Sequence, residues 1–161
     1  MSSFTIRPIQ DTDNPHIAAL IRSILIEMDV PKVGSAYADP SLDHLYQHYQ
    51  NDRGAYFVVE QEGEIVAGGG IGSLPGENTT VCELQKMYLV AKLRGQGIGK
   101  ALIQTCIEAA QELGYSQCYL ETMPNMLAAQ SLYKKMGFNY VCSPMGNTGH
   151  NACPVWMLLK F

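Results

Sequence analysis

The sequence is poor in charge and in long apolar runs. Only 16% of its 161 residues are Asp, Glu, Lys or Arg, against roughly 25% in an average globular chain. Its apolar runs, such as IAALI and VWMLL, fall far short of the roughly 18 residues that suggest a membrane span. The N-terminus MSSFTIRPIQD has no basic segment leading into an apolar one, so no secretory leader is expected. These absences predict a soluble, cytoplasmic protein with no membrane partner. No pair of cysteines has CxxC spacing, and the five present, Cys82, Cys106, Cys118, Cys142 and Cys153, are odd in number. A disulfide framework and a zinc ribbon are therefore not expected, and the thiols are read as reduced and mostly buried. No excess of basic residues exists either: the formal net charge is −4, which argues against a nucleic-acid partner.

What is present suits one α/β domain over residues 1–161. An apolar fraction of 47% is ordinary, and a chain of this length buries roughly 70% of its unfolded surface. Charge is unevenly placed. Residues 1–64 hold ten acids and four bases, whereas 84–107 hold no acid and the four bases Lys86, Lys92, Arg94 and Lys100. The first segment favours cations and the second anions.

FTIRPI alternates as a strand, and Ile17, Leu20, Ile21, Ile24 and Leu25 recur at helical spacing, predicting a helix from the caps near Asp11–Pro15 to about Met28. Residues 31–42 read as a loop, and a short helix over 41–49 is expected with Ser41 as its cap. AYFVVEQ, the turn EGE and IVAGGGIGSL form a hairpin pattern, followed by the strand VCELQKMYLV. The glycines of the middle strand predict a bulge or a close backbone neighbour. Ile98, Leu102, Cys106, Ala109 and Leu113 mark a helix face closed by Gly114. The strand SQCYLET, a helix over 124–136 closed by Gly137, and strands near FNYVCS and PVWMLLKF complete the chain.

The segment LRGQGIGKALI, from Leu93 to Ile103, places glycines between a strand and a helix. A helix N-terminus there presents free N–H groups and the positive end of the helix dipole, which together make an anion site. A Walker A loop fails because Arg94 stands where glycine is needed and Ala101 where a hydroxyl is needed. The dinucleotide fingerprint fails because its third glycine falls on Lys100. The motif left is [QR]-x-x-G-x-[GA], as Arg94-Gly95-Gln96-Gly97-Ile98-Gly99.

With that loop the sequence resembles the GNAT superfamily of acyl-CoA-dependent N-acetyltransferases. Two further matches carry the resemblance: Glu83, eleven residues before Arg94, and AQSLYKKMGF from Ala129 to Phe138, which fits A-x-x-L-Y-x-x-x-G-F. It extends over the whole element order and is sharpest from Glu83 to Phe138. It implies a mixed, mostly antiparallel sheet flanked by helices, with the strands of Glu83 and Cys118 parallel and splayed. It also implies acetyl-CoA as cosubstrate, its pyrophosphate held by Arg94 to Lys100, and direct acetyl transfer to a primary amine of a small molecule or peptide. By the same resemblance Glu83 is the general base, Tyr133 lies beside the thioester sulfur, and the bulged strand at Met87, Tyr88 and Leu89 offers a backbone N–H to the oxyanion. One departure stands out: the asparagine often found seven residues before the tyrosine is Met126 here, with Asn125 one place off register.

The chemistry agrees with those residue types. A lysine-like amine of pKa near 10.4 is only about 0.04% neutral at pH 7, so a base at Glu83 has work to do, and a Tyr133 hydroxyl suits protonation of the leaving thiolate. Blander readings stand beside these: a solvent-facing Glu83 or one paired with Lys86, and a core-packed Tyr133. His44 and His48 have i, i+4 spacing, which suits a metal, but no third ligand is indicated and no metal is expected. Nothing in the sequence orients His150 as a base for Cys153. A non-catalytic acyl-CoA-binding or sensing module is the alternative function, and the oligomeric state, a homodimer included, is left open.

Overall fold

The computed structural model describes residues 3–77 and 79–161. Met1 and Ser2, part of the N-terminal reading above, lie outside them. The chain runs β1 (Thr5–Pro8), α1 (Asn14–Glu27), α2 (Leu45–His48), β2 (Ala55–Gln61), β3 (Glu64–Ser73), β4 (Val81–Leu89), α3 (Ile98–Glu112), β5 (Gln117–Thr122), α4 (Leu127–Lys135), β6 (Asn139–Val141) and β7 (Val155–Lys160). The seven strands form one sheet in the order β1-β2-β3-β4-β5-β7-β6. The β4–β5 pair is parallel and the other neighbours are antiparallel, as the expected fold requires.

Strand alternation sends successive side chains to opposite faces. Tyr56 and Val58 of β2 join Ile17, Ile21 and Leu25 of α1 on one side, while Val59 joins Leu102, Ile103 and Cys106 of α3 on the other. The β2–β3 turn has Glu62 at φ 53° and Gly63 at φ 79°, the left-handed pair that matches strand twist. Gly114 and Gly137 sit at φ 89° and 103° and stop α3 and α4 as left-handed caps.

Three local expectations change. Residues 40–44 form a 3-10 segment capped by Asp39 and not by Ser41. His44 leaves helical geometry at φ −135°, so His44 and His48 share no helix face. The α4 helix begins at Leu127, after a turn in which the Met126 amide bonds the Met123 carbonyl.

Several acids of the first third are held by specific partners. Arg7 grips Asp13 with two bonds of 2.8 and 2.9 Å and reaches Glu60 at 3.0 Å, and the Gln10 amide donates to Asp13 at 2.7 Å. The Arg7 bond, despite an opposing burial effect, holds the Asp13 carboxyl below the usual range. Its stabilisation is therefore present above the unfolded carboxyl pKa and lost as pH falls through the lower folded value. Asp13→Asn is expected to cost about 1–3 kcal/mol near neutrality. In urea unfolding followed from pH 7 downward, the gap to the parent protein should close in acid.

Candidate active site

A cleft of about 590 Å³ opens where β4 and β5 part. The two strands pair only at Val81–Gln117, Cys82–Cys118 and Glu83–Tyr119. Beyond Glu83 they diverge, so Leu84, Met87 and Leu89 on one wall face Leu120 and Thr122 on the other, with Leu132 and Tyr133 of α4 closing the end.

The divergence is helped by a bulge. Gly68 pairs with Tyr88 and Gly70 with Gln85, so Lys86 and Met87 together oppose Gly69, and Lys86 takes a left-handed φ of 49°. The Tyr56 hydroxyl donates to the Lys86 carbonyl at 2.8 Å and holds this unfavourable conformation. The bulge lies at Lys86 and Met87 and so adjoins the segment Met87 to Leu89 expected to offer a backbone N–H. Met87, Tyr88 and Leu89 all line the cleft.

The glycine turn follows directly. Gly95 and Gly97 both sit at φ 83°, and a Cβ at either would meet nothing within 4 Å. Both residues are glycine for backbone geometry, and the surface beside them is open. The Ala101 amide bonds the Gly97 carbonyl at 3.1 Å, so the amides of Ile98, Gly99 and Lys100 lie in the first turn, where helix geometry supplies no acceptor. Arg94, Gly95, Gly97, Gly99 and Lys100 line the cleft. Gln96 is half-buried and off the cleft wall, and the Ile98 side chain is fully buried in the core, leaving Ile98 only its backbone for a ligand. At Gly99 a Cβ would stand 2.7 Å from Leu132 Cδ2, which lets α3 approach α4 closely. An open, cationic, amide-lined turn at the mouth of an apolar cleft fits a cosubstrate with a phosphate end and a flexible apolar arm.

Glu83 lies at the point where the strands part. It is 6% exposed, and Gln85, two residues on and so on the same strand face, donates to its Oε1 at 2.8 Å; Tyr49 in turn donates to Gln85 at 2.5 Å. Burial pushes the Glu83 pKa up to about 7, against the pull of the Gln85 bond and of nearby His150. The solvent-facing reading of Glu83 does not hold, nor does its pairing with Lys86. Lys86 is held by Asp39 at 3.0 Å.

Sequence reasoning missed a cluster around Glu83. One carboxylate oxygen of Glu121, one of Glu83 and one ring nitrogen of His150 all lie within 4.8 Å of one another. Glu121 accepts from the hydroxyls of Tyr119 and Thr148. The Asp39 carboxylate meets His150 Nε2 at 2.9 and 3.0 Å, so a partner does orient that histidine, contrary to the expectation. Cys153 lines the cleft, where burial raises its thiol to about 11; it is no ready nucleophile. Tyr133 belongs both to the core, edge-on to Phe138 at 5.9 Å, and to the cleft wall. Burial raises its phenol above the usual value. Met126 and Asn125 both line the cleft, and Asn125 donates to the Met28 carbonyl at 2.5 Å. Among the described residues all five cysteines are free, and no helix is long and apolar enough to cross a membrane.

Comparison with known proteins agrees with this geometry. The model of the acetyltransferase (GNAT) family matches residues 21–138. An Escherichia coli K12 relative described as an uncharacterized N-acetyltransferase, YjgM, is 46% identical over 147 residues, 91% of this chain and 88% of the relative. A GNAT-family acetyltransferase crystal structure from Staphylococcus aureus Mu50 superposes with a TM-score of 0.87 at 21% identity, covering 98% of this chain and 99% of that one. The Salmonella typhimurium protein yncA, a structure with its cofactor acetyl-CoA, superposes with a TM-score of 0.78 at 18% identity over 99% and 94% of the two chains. By the family model and the close relative, this chain belongs to the GNAT family and is an acetyl-CoA-dependent acetyltransferase.

Proposed function

We propose that the enzyme acetylates a primary amine, with Glu83 as the base that frees the nitrogen and Tyr133 as the acid beside the leaving sulfur. The observation that carries this reading is a buried carboxylate, of pKa about 7, at the divergence of β4 and β5. A base is most useful when its pKa lies near the working pH. Acetyl-CoA supplies the activated acyl group. Arg94, Gly95, Gln96, Gly97, Ile98, Gly99 and Lys100 form the proposed pyrophosphate site, with Ile98 and the glycines contributing backbone amides. Met87, Tyr88 and Leu89 wall the reacting end, and the bulge beneath them leaves backbone groups outside the regular ladder, positioned to polarise a carbonyl. The acceptor enters beside Glu83 and Glu121 as a small-molecule or peptide amine. We place the reaction in the cytoplasm.

Coenzyme release measured against a panel of amino acids, polyamines, aminoglycosides and peptides tests this function. Acetylation of at least one amine is expected, and thioester hydrolysis alone would overturn it. The cosubstrate site has its own test. Acetyl-CoA should raise the melting temperature, as any ligand selective for the native state does. Gly97→Asp adds a carboxylate in the anion site and strains a left-handed position, and it should weaken acetyl-CoA at least about tenfold. An undiminished thermal shift in that variant would remove the loop from the site.

A further inference from the structure

The proposed chemistry leaves one proton unplaced. An acceptor ammonium loses two protons on becoming an amide; one ends on the coenzyme sulfur, and the other must reach bulk water. Glu83, which takes it first, is only 6% exposed, so it needs an outlet. Gln85 is no outlet, because its amide only donates to Glu83. His150 is placed for the task. Its side chain is 20% exposed, and a ring nitrogen lies within 4.8 Å of a Glu83 oxygen, a gap that one water molecule spans.

The tautomer follows from Asp39. Burial pushes that carboxyl up, but the bond with His150 and the charge of Lys86 outweigh it and keep it ionised. An ionised carboxylate only accepts, so Nε2 carries the hydrogen facing Asp39 and Nδ1 is the nitrogen that gains and loses a proton. We propose that His150, held by Asp39, relays to solvent the proton that Glu83 takes from the acceptor amine. This rests on the reading of Glu83 as base. The charged and titratable groups facing the relay are Asp39, His48 and Tyr49 from the α1–β2 segment, Glu83, Lys86 and Tyr88 from β4, Tyr119 and Glu121 from β5, and Cys153 from its own loop. The Asp39 bond raises the His150 pKa despite burial, which makes the ring a better proton acceptor than a free imidazole.

Asp39 and His150 also tie two loops together, beside the Ala152 amide bonded to the Gly34 carbonyl at 3.1 Å. The test must therefore move something that a clasp does not. With the fastest amine from the panel, in weak buffer, His150→Ala should lower kcat about tenfold with little change in KM for acetyl-CoA. Millimolar imidazole should restore much of that rate in a saturable way. His150→Gln, which retains a hydrogen bond to Asp39, should keep the parent melting temperature and show the same loss. Full kcat in both variants, a loss that imidazole does not repair, or parent activity abolished by a chelator would each overturn the relay. Glu83→Gln should keep its full deficit at pH 7 with or without imidazole. Were it fully active, the base reading itself would fall, whereas an impaired Glu83→Gln beside a fully active His150→Ala would sink the relay alone.

Discussion

Glu83→Gln is expected to lose about a hundred- to ten-thousandfold of kcat/KM at pH 7, while the folded protein becomes more stable. The base works only when ionised, and burial places its pKa at about 7. Parent activity should therefore rise with pH through about 7, and the variant should lack that limb. Its deficit should shrink at high pH, where more of the amine is already neutral. The stability change has the opposite sign. A carboxyl whose folded pKa is raised stabilises fully below its unfolded value, and that contribution is lost as pH rises through the folded one. Above pH 7 the parent carries a buried charge that the glutamine variant lacks. A rise from 4.5 to about 7 corresponds to about 3 kcal/mol, an upper figure because Gln85 and His150 share the site. Activity loss that is independent of pH, or accompanied by a lower melting temperature at pH 8, would demote Glu83 to a structural residue.

Tyr133→Phe should reduce kcat about ten- to a thousandfold with the affinity for acetyl-CoA and the melting temperature nearly unchanged. The substitution removes one oxygen and keeps the ring that stands edge-on to Phe138. Burial raises the phenol above its usual pKa, so complete proton transfer to a thiolate near 8.5 is uphill. The benefit then comes from a hydrogen bond that strengthens as charge develops, which belongs to the transition state and not to binding. This puts the effect toward the lower end of the range. An unchanged kcat would leave Tyr133 with its packing role alone.

Sequence reasoning reached the strands, the helices and the glycine stops because they are written in local chemistry, whereas the parallel pairing of β4 and β5 was implied by the resemblance alone. Gly95, Gly97, Gly114 and Gly137 all take positive φ, and apolar periods of 2 and 3.6 residues separate strands from helices. Gln85 was legible in principle, since i and i+2 share a strand face. Asp39 was not: it comes from a Pro- and Gly-rich segment and meets His150 across 111 positions, a contact set by loop closure and by no local period. Glu121 was hidden because its nearness to Glu83 depends on the register of the parallel pair, Glu83 opposite Tyr119, which no local pattern marks.

Gly68, Gly69 and Gly70 bear on how the sequence tolerates change. A Cβ at Gly68 would stand 2.6 Å from both Ile17 Cδ1 and the Tyr56 hydroxyl, one at Gly69 would stand 2.9 Å from the Met87 sulfur, and one at Gly70 would collide with the Ala55 carbonyl. The obstacles differ in stiffness: backbone cannot yield, a ring hydroxyl yields little, and a methionine swings aside. Saturation mutagenesis should therefore grade the three, with Gly70 the strictest and Gly69 the most permissive, although none is assigned a part in the chemistry. A selection that scores only survival would mark this strand as essential beside Glu83, and sorting the two kinds of intolerance requires measuring folded protein and turnover separately.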